Sequence, residues 1–315
     1  MEEFLTYYME RNKSKSSHTQ TAMRGNLRRL QILLDKPFAD ISLEDFKNSG
    51  EFIAKLTGDY SLSTSISTIL AVRALLKYLN AKLAMRTEYD EVLTELVKMR
   101  DEEQKNQKKS KEEQEYWIDY PELKTRVETH AKDFLDNKKA FTQYRNFLLL
   151  SLYTLIPPTR IGNYLDMKIK SADQMKRDAS ALKKKFNYIV HLGDGKYRFI
   201  FNKYKTAKSV GQIDYTVESD ILNKLLHKYF KDYTHQKGIF LHNTDGSPMS
   251  QTGVTNGLKS ISNKLFDKDM TLNSFRHIYL THFLSTNPSI NEKQKILTLV
   301  GHKYVPSTAE KYVRN

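Results

Sequence analysis

The chain has 315 residues, a formal net charge of +14 and no cysteine. Its length allows two domains that each bury a hydrophobic core, and the lack of cysteine excludes disulfides, thiolate metal sites and thiol nucleophiles. A Lys and Arg excess of this size favours a polyanionic partner, most often a nucleic acid. The alternative is that the lysines only keep the protein soluble.

No segment of the sequence predicts secretion or a membrane span. The start, Met1-Glu-Glu-Phe-Leu, lacks the basic and then apolar pattern of a signal peptide. The most apolar run, residues 147–155, is far shorter than the roughly 20 residues of a membrane helix. We therefore expect a soluble intracellular protein with no membrane partner.

The first hundred residues predict a small bundle of helices, because apolar residues recur at intervals of three and four. Ser and Thr residues between 14 and 19 are candidate N-caps for the first of these helices, and a capping-box pattern at Ser42 predicts the start of another. Arg24 and Arg28 lie one turn apart on an outer face and are candidate DNA contacts. The apolar stripes are Met23–Leu27–Leu30–Leu34, Phe46–Phe52–Leu56 and Ile69–Val72–Leu76–Leu79.

Residues 101–115 are almost wholly polar and offer nothing that could anchor a core. This composition is typical of a linker or an exposed extension of a helix. We therefore expect two domains, residues 1–100 and 116–315, joined by the polar segment 101–115.

The second domain is predicted to be mainly α-helical with one small antiparallel sheet. An apolar helix over 141–156 ends at Pro157-Pro158, and a further helix is expected through Tyr164 and Leu165. Two β-rich runs flank Gly193-Asp194-Gly195, which predicts a hairpin, and a third strand is expected over 212–217. The remaining predicted helices are 220–230, 251–265, 273–284, 291–299 and a short one around Thr308.

Several common chemistries lack their motifs in this sequence. A Walker loop, a dinucleotide-binding fingerprint and a His-Glu-x-x-His metal motif are all missing. The residues that remain suit a phosphodiester. Breaking that bond without a metal requires a nucleophile, cations that hold the charge on the phosphate oxygens, and an acid for the leaving oxygen. Arginine is the best phosphate clamp, because its planar fork binds two oxygens at once.

Five elements with such residues follow one another in the chain. They are Thr159-Arg160-Ile161-Gly162-Asn163, a turn with Lys205, Asn273-Ser-Phe-Arg276-His277, Val300-Gly301-His302, and Tyr312. In this order the chain resembles the tyrosine recombinase (phage-type integrase) family over nearly its full length. The resemblance implies a helical core-binding (SAM-like) domain at 1–100 and a catalytic domain at 116–315, which close as a C-shaped clamp on DNA.

The resemblance also implies a role for each residue. Tyr312 would attack the scissile phosphate to form a 3′-phosphotyrosine. Arg160 and Arg276 would clamp the phosphate, His302 and Asn273 would donate hydrogen bonds, and Lys205 would protonate the leaving 5′ oxygen, with no metal or other cofactor. Further DNA contacts are expected from Lys203, Lys208 and His277.

By the same resemblance, the partner is double-stranded DNA, and the protein is a homotetramer on synapsed DNA and a monomer when free. The expected function is integration or excision of a viral or mobile genome, at DNA in the cytoplasm or the nucleus of its host.

The sequence departs from the family pattern at several positions. Asn273 stands where the family usually has histidine, and Asn163 stands where an acidic residue commonly supports the first arginine. Asparagine can hydrogen-bond but is a poor proton acceptor. Tyr312 also follows His302 by one residue more than in many relatives. The chain stops at Asn315, so we expect either that protomers interlock differently or that the sequence is shortened.

Two alternatives stay open from the sequence. A type IB topoisomerase would use the same catalytic chemistry but religate the same strand as a monomer. A non-catalytic DNA-binding relative would bind DNA equally well with Phe at position 312.

Overall fold

The computed structural model describes residues 1–12, 17–106, 108–177, 186–233, 238–302 and 313–314. The chain divides into two compact units, Met1–Asn106 and Gln107–Asn315, and each unit has its own hydrophobic core. The division falls within the polar segment 101–115. In the described part of the chain, no helix is both long enough and apolar enough to span a membrane.

The first unit is a bundle of α-helices with two short 3-10 helices. The α-helices are α1 (Glu2–Arg11), α2 (Ser17–Leu34), α3 (Ser49–Asp59), α4 (Leu62–Tyr78) and α5 (Leu83–Lys105), and the 3-10 helices are Phe38–Asp40 and Leu43–Phe46. Helix α4 is the centre of the bundle, since it packs against α1, α2, α3 and α5. Its predicted residues Ile69, Val72 and Leu76 are fully buried.

Two local predictions for this unit need correction. In α2, Leu33 completes the core and Leu34 is only half-buried. The capping box at Ser42 opens only the 3-10 helix Leu43–Phe46, and a new helix starts at Ser49. The reason is a second N-cap, because the side chain of Asn48 accepts a hydrogen bond from the backbone N–H of Glu51 at 3.3 Å.

The polar segment 101–115 is helical at both of its ends. Helix α5 continues to Lys105, and α6 (Lys111–Tyr116) begins with a capping box between Ser110 and Glu113. The described residues of this segment are therefore partly helical and do not form a purely extended linker.

The second unit contains the remaining helices and the sheet. The helices are α6, α7 (Tyr120–Asp136), α8 (Phe141–Thr154), α9 (Ala172–Arg177), α10 (Ala207–Val210), α11 (Asp220–Asp232), α12 (Gln251–Phe266), α13 (Leu272–Ser285) and α14 (Ile290–Leu299), with a 3-10 helix at Ile161–Asn163. The predictions for α8 and for α11 to α14 are confirmed to within two residues at each end. The predicted short helix around Thr308 lies outside the described residues.

Helix α8 is the core of this unit and sets the position of the loop that follows it. Every residue from Tyr144 to Thr154 is buried, and α7, α11, α12 and α13 all pack against it. Pro157 and Pro158 prevent the helix from continuing. The helix predicted through Tyr164 and Leu165 is wrong, because only the 3-10 turn forms before Asp166 takes a positive φ of 55° and redirects the chain.

The sheet has four strands in the order β1 (Lys168–Ser171), β2 (Tyr188–Gly193), β3 (Lys196–Phe201) and β4 (Ile213–Thr216). The predicted hairpin is confirmed, and Asp194 and Gly195 form its two-residue turn with φ values of 48° and 69°. The sheet is mixed and not purely antiparallel as predicted, because β1 pairs parallel to β2. At four residues, β1 is too short to show an alternating pattern.

Gly257 lies at a close approach of α12 to α8, and alanine there should destabilise the second unit. A Cβ on Gly257 would lie 2.9 Å from Oδ1 of Asn146, which also accepts hydrogen bonds from Arg145. We expect Gly257→Ala to lower the free energy of unfolding by about 1–3 kcal/mol, measured in urea through the fluorescence of Trp117, the only tryptophan.

The matched control is Asn256→Ala, the preceding and exposed position of the same helix. Alanine should be neutral or raise the free energy of unfolding there by about 0.5 kcal/mol. If Gly257→Ala proved as stable as this control, the close approach of the two helices would be contradicted.

Candidate active site

Arg276 is a buried cation that joins three parts of the second unit. It lies in the second turn of α13, which is started by Thr271 as N-cap, and only 3% of the residue is exposed. Its Nη1 donates to the carbonyls of Pro158 and Val300, each at 3.0 Å. The guanidinium group therefore links α13 to the loop after α8 and to the end of α14.

His302 lies between Arg276 and Arg160. Its Nε2 is 2.8 Å from Nη2 of Arg276 and 3.4 Å from Nη2 of Arg160. Since a guanidinium group can only donate, this pattern assigns Nε2 as the acceptor and places the ring proton on Nδ1. The two arginines and the histidine that the sequence predicted as partners thus form one cluster.

The Gly-His dipeptide has a structural reason. Gly301 follows the end of α14 with a φ of 83°, the N–H of His302 donates to the carbonyl of Leu297, and the N–H of Gly301 donates to Thr298. This pattern is a Schellman motif, in which glycine takes the left-handed position. The motif ends α14 and directs the next residue, His302, to the arginines.

Burial, followed by the charges of Arg276, Arg160 and Lys205 in that order, lowers the pKa of His302 from 6.5 to about 4. The imidazole is therefore neutral at neutral pH and accepts from the guanidinium groups. Three cations also act on this imidazole, so positive potential is concentrated at the site. Such a site is suited to an anion.

Lys205 is brought to this cluster by the turn after β3. Its side chain is exposed, and the next residue, Thr206, donates from its hydroxyl to the carbonyl of Gly301 at 2.6 Å. The buried side chain of Asn187 holds the start of the turn, bonding the N–H and the carbonyl of Lys203 at 2.7 and 2.9 Å. The sequence analysis missed Thr206 and Asn187, because only the folded chain places them beside the turn.

The two asparagines at the family's histidine and acid positions differ in their surroundings. Asn273 is exposed at the start of α13, one turn before His277. Asn163 is 1% exposed, and no described residue hydrogen-bonds its side-chain amide. Its backbone N–H instead donates to the carbonyl of Arg160 at 2.9 Å. Asn163 therefore supports the arginine through the backbone of the 3-10 turn.

The structure distributes the other predicted DNA contacts over both units. Lys203, Lys208 and Arg28 are exposed, whereas His277 is half-buried. Arg24 forms a bidentate pair with Glu2, with contacts of 2.5 and 3.0 Å. A phosphate would have to compete with that carboxylate for Arg24. Tyr312, the predicted nucleophile, lies outside the described residues.

Within the described part of the chain, no group of three or more His, Asp or Glu residues could hold a metal ion.

Solved structures with the same architecture are known, although the sequences are very different. The chain matches XerH site-specific recombinase bound to its difH substrate, with a TM-score of 0.52 and 16% identity over 87% of this chain and 67% of that one. They also match the Tn1549 transposon integrase in complex with a circular intermediate DNA, with a TM-score of 0.52 and 12% identity over 99% and 94% of the two chains. The chain has the tyrosine recombinase fold.

The remaining comparisons give no further support for this fold. XerA recombinase aligns with a TM-score of 0.42 and 15% identity over 99% of this chain and 94% of that one, a score too low to support an argument. No family model matches the chain, and no curated protein matches its sequence. At these identities the likeness concerns the fold alone.

The lowered pKa of His302 should make this recombinase fold sensitive to acid. Because the folded-state pKa is about 4 and the ordinary value is 6.5, the unfolded chain binds the proton more tightly. The contribution of His302 to stability is therefore complete above about pH 6.5 and is lost as the pH falls towards 4. The free energy of unfolding of the wild type should fall between pH 7 and pH 4.5. We expect this fall to be smaller by roughly 2 kcal/mol in His302→Gln.

The measurement is urea unfolding at both pH values, together with NMR titration of the His302 ring. Arg160→Gln serves as the second variant, because removal of a neighbouring cation should raise the pKa of His302. An imidazole midpoint near 6.5 in the wild-type protein would contradict the electrostatic description of the site.

Proposed function

We propose that the protein is a site-specific DNA recombinase or integrase that cuts and rejoins DNA through a covalent 3′-phosphotyrosine at Tyr312. The observation that carries this proposal is the convergence of Arg160, Arg276 and Lys205 on His302. Three cations around a neutral imidazole suit the charge that builds up on a phosphate under attack. The fold shared with recombinases and integrases is consistent with that chemistry.

In the proposed reaction, the hydroxyl oxygen of Tyr312 attacks phosphorus and the bond from phosphorus to the 5′ oxygen breaks. The positive potential of the arginines favours the phenolate, so the tyrosine proton passes to solvent. Arg160 and Arg276 hold the two non-bridging oxygens, and Lys205 gives a proton to the leaving 5′ oxygen. Rejoining reverses these steps with a 5′ hydroxyl of the partner duplex.

His302 and Asn273 have a supporting role in this proposal. His302 accepts from Arg276 at 2.8 Å and so orients the guanidinium group before DNA binds, while Asn273 is an exposed amide donor at the helix start. Neither side chain is a good proton acceptor at neutral pH, because the pKa of His302 is about 4 and an amide does not titrate there. The chemistry therefore depends on cations more than on a base.

DNA binding in the proposal uses the basic surfaces of both units, with residues 1–100 as the core-binding domain and 116–315 as the catalytic domain. The net charge of +14 supplies the attraction. Phosphate contacts dominate such binding, so affinity should fall steeply with salt, with a slope of roughly −0.9 per neutralised phosphate. We further propose a tetramer on two synapsed duplexes and an integration or excision reaction of a mobile or viral genome.

The direct test of the nucleophile is a covalent-trapping assay with nicked duplexes that carry candidate sites. Wild type and Tyr304→Phe should both form a protein–DNA band on a denaturing gel, and Tyr312→Phe should not. DNA affinity should be equal for all three proteins, because a hydroxyl at the nucleophile position adds little to ground-state binding.

Two other results of this assay would favour the alternative functions. DNA binding without a covalent band in wild type would contradict the recombinase proposal and favour a non-catalytic DNA-binding protein. A covalent band with one molecule per duplex and religation of the same strand would favour a type IB topoisomerase over a synaptic tetramer.

The role of Lys205 as the acid can be tested with a better leaving group. Lys205→Ala should slow cleavage of ordinary DNA by about 10²–10⁴-fold. A duplex with sulfur in place of the bridging 5′ oxygen should restore most of the rate, because a thiolate leaves without being protonated. Single-turnover experiments on the two duplexes give the ratio of the wild-type cleavage rate to the Lys205→Ala cleavage rate for each leaving group.

Lys196→Ala is the control, since this exposed lysine lies at the start of β3 in the same sheet and is not among the predicted DNA contacts. It should cleave both duplexes at rates close to those of wild type. An equal slowing of Lys205→Ala on both duplexes would show that Lys205 only binds the phosphate.

A further inference from the structure

Arg314, near the end of the chain, is held by two groups of the same unit. Its Nε lies 2.8 Å from Oε1 of Glu113, and the two side chains are only 14% and 13% exposed. Its backbone N–H donates to the hydroxyl of Thr281 in α13 at 3.0 Å. Both the backbone and the side chain of Arg314 are therefore fixed, which is more than a surface ion pair provides.

The side chain of Glu113 is also oriented by the start of α6. It is the acidic residue of the capping box of α6, where its Oε2 accepts from the N–H of Ser110 at 2.9 Å. Burial acts to raise the pKa of Glu113, but the hydrogen bonds from Ser110 and Arg314 and the charges of Arg314 and His277 outweigh burial and hold this pKa below its ordinary value. The carboxylate is thus charged and directed at Arg314.

Thr281 connects this anchor to the candidate active site. It lies one turn after His277 and five residues after Arg276 on α13, which is about 7.5 Å along the helix axis. Tyr312 precedes Arg314 by two residues, so peptide geometry keeps the two Cα atoms within about 7.6 Å of each other. The covalent chain therefore limits how far Tyr312 can lie from the anchored Arg314.

We propose that Glu113 and Thr281 clamp Arg314 so that Tyr312 is delivered to the arginine cluster of its own chain. Glu113 and Arg314 are positioning residues in this proposal, and neither contacts the reacting atoms. The proposal rests on the recombinase function proposed above, because it assigns a geometry to that reaction. It also means that the residues next to the nucleophile are held in cis and are not exchanged with a neighbouring protomer.

The kinetic test compares Arg314→Gln and Glu113→Gln with Arg314→Lys in single-turnover cleavage. Loss of the charge pair should slow covalent-complex formation by on the order of 100-fold, with DNA affinity and the urea midpoint close to wild type. Arg314→Lys should retain most of the rate, because lysine keeps the charge. The double variant should be no slower than either single variant, since both remove the same contact.

The matched control is Asp214→Asn, which removes the partner of Arg198 in the sheet of the same unit. It should cleave at the wild-type rate. Cleavage by Arg314→Gln at that rate would overturn the proposal, and so would equal losses in affinity and in rate, which would indicate a merely structural contact.

A crosslinking test does not depend on cleavage. The chain has no cysteine, so Glu112→Cys and Asn315→Cys place two thiols next to the anchored residues and leave the ion pair intact. With DNA bound, a short bis-maleimide should give a crosslinked product of monomer size, and adding Arg314→Gln should reduce its yield. A product of dimer size, or no crosslink, would overturn the proposal.

The two tests separate this proposal from the function on which it rests. A wild-type protein that forms no covalent complex with DNA would contradict the recombinase function, while the crosslink alone would still decide whether Arg314 is held in cis. If the protein cleaves DNA but gives only a dimer-sized crosslink, the recombinase function would stand. The residues around Arg314 would then be exchanged between protomers.

Discussion

The buried guanidinium group of Arg276 is the interaction on which the rest of the second unit depends. It takes a full charge to a position where only 3% of the residue is exposed, and such a charge is stable only if its N–H groups are satisfied. The carbonyls of Pro158 and Val300 accept two of those hydrogen bonds. Three segments that are distant in sequence must therefore come together around one side chain, and each of them carries a residue of the candidate site.

The same arrangement explains the electrostatics of the site. Once Arg276 is in place, the segment after Pro158 brings Arg160, and the segment after Val300 brings His302. The imidazole stays neutral because burial and the surrounding cations lower its pKa to about 4. A protonated histidine would repel both arginines and leave their N–H groups without this acceptor. The fold thus holds positive potential in a form that a phosphate can neutralise.

The sequence was most informative where structure is local. The hairpin at Asp194-Gly195 and the buried stripe of α4 follow from turn chemistry and periodicity within a few residues. The break at Asn48 and the four-residue strand β1 were not foreseen, because a competing N-cap and a short parallel strand leave little local pattern. The Glu113–Arg314 pair joins residues 201 positions apart, so nothing in either neighbourhood indicates it.

Identifying the amino acid that carries the DNA would test the proposed tyrosine chemistry directly. The covalent complex formed on a nicked duplex would be digested with nuclease and trypsin and analysed by mass spectrometry. Lys311 and Arg314 flank Tyr312, whereas Tyr304 belongs to the preceding tryptic peptide. We expect a nucleotide 3′-phosphate on the peptide Tyr312-Val313-Arg314. A nucleotide on any other peptide would contradict this chemistry.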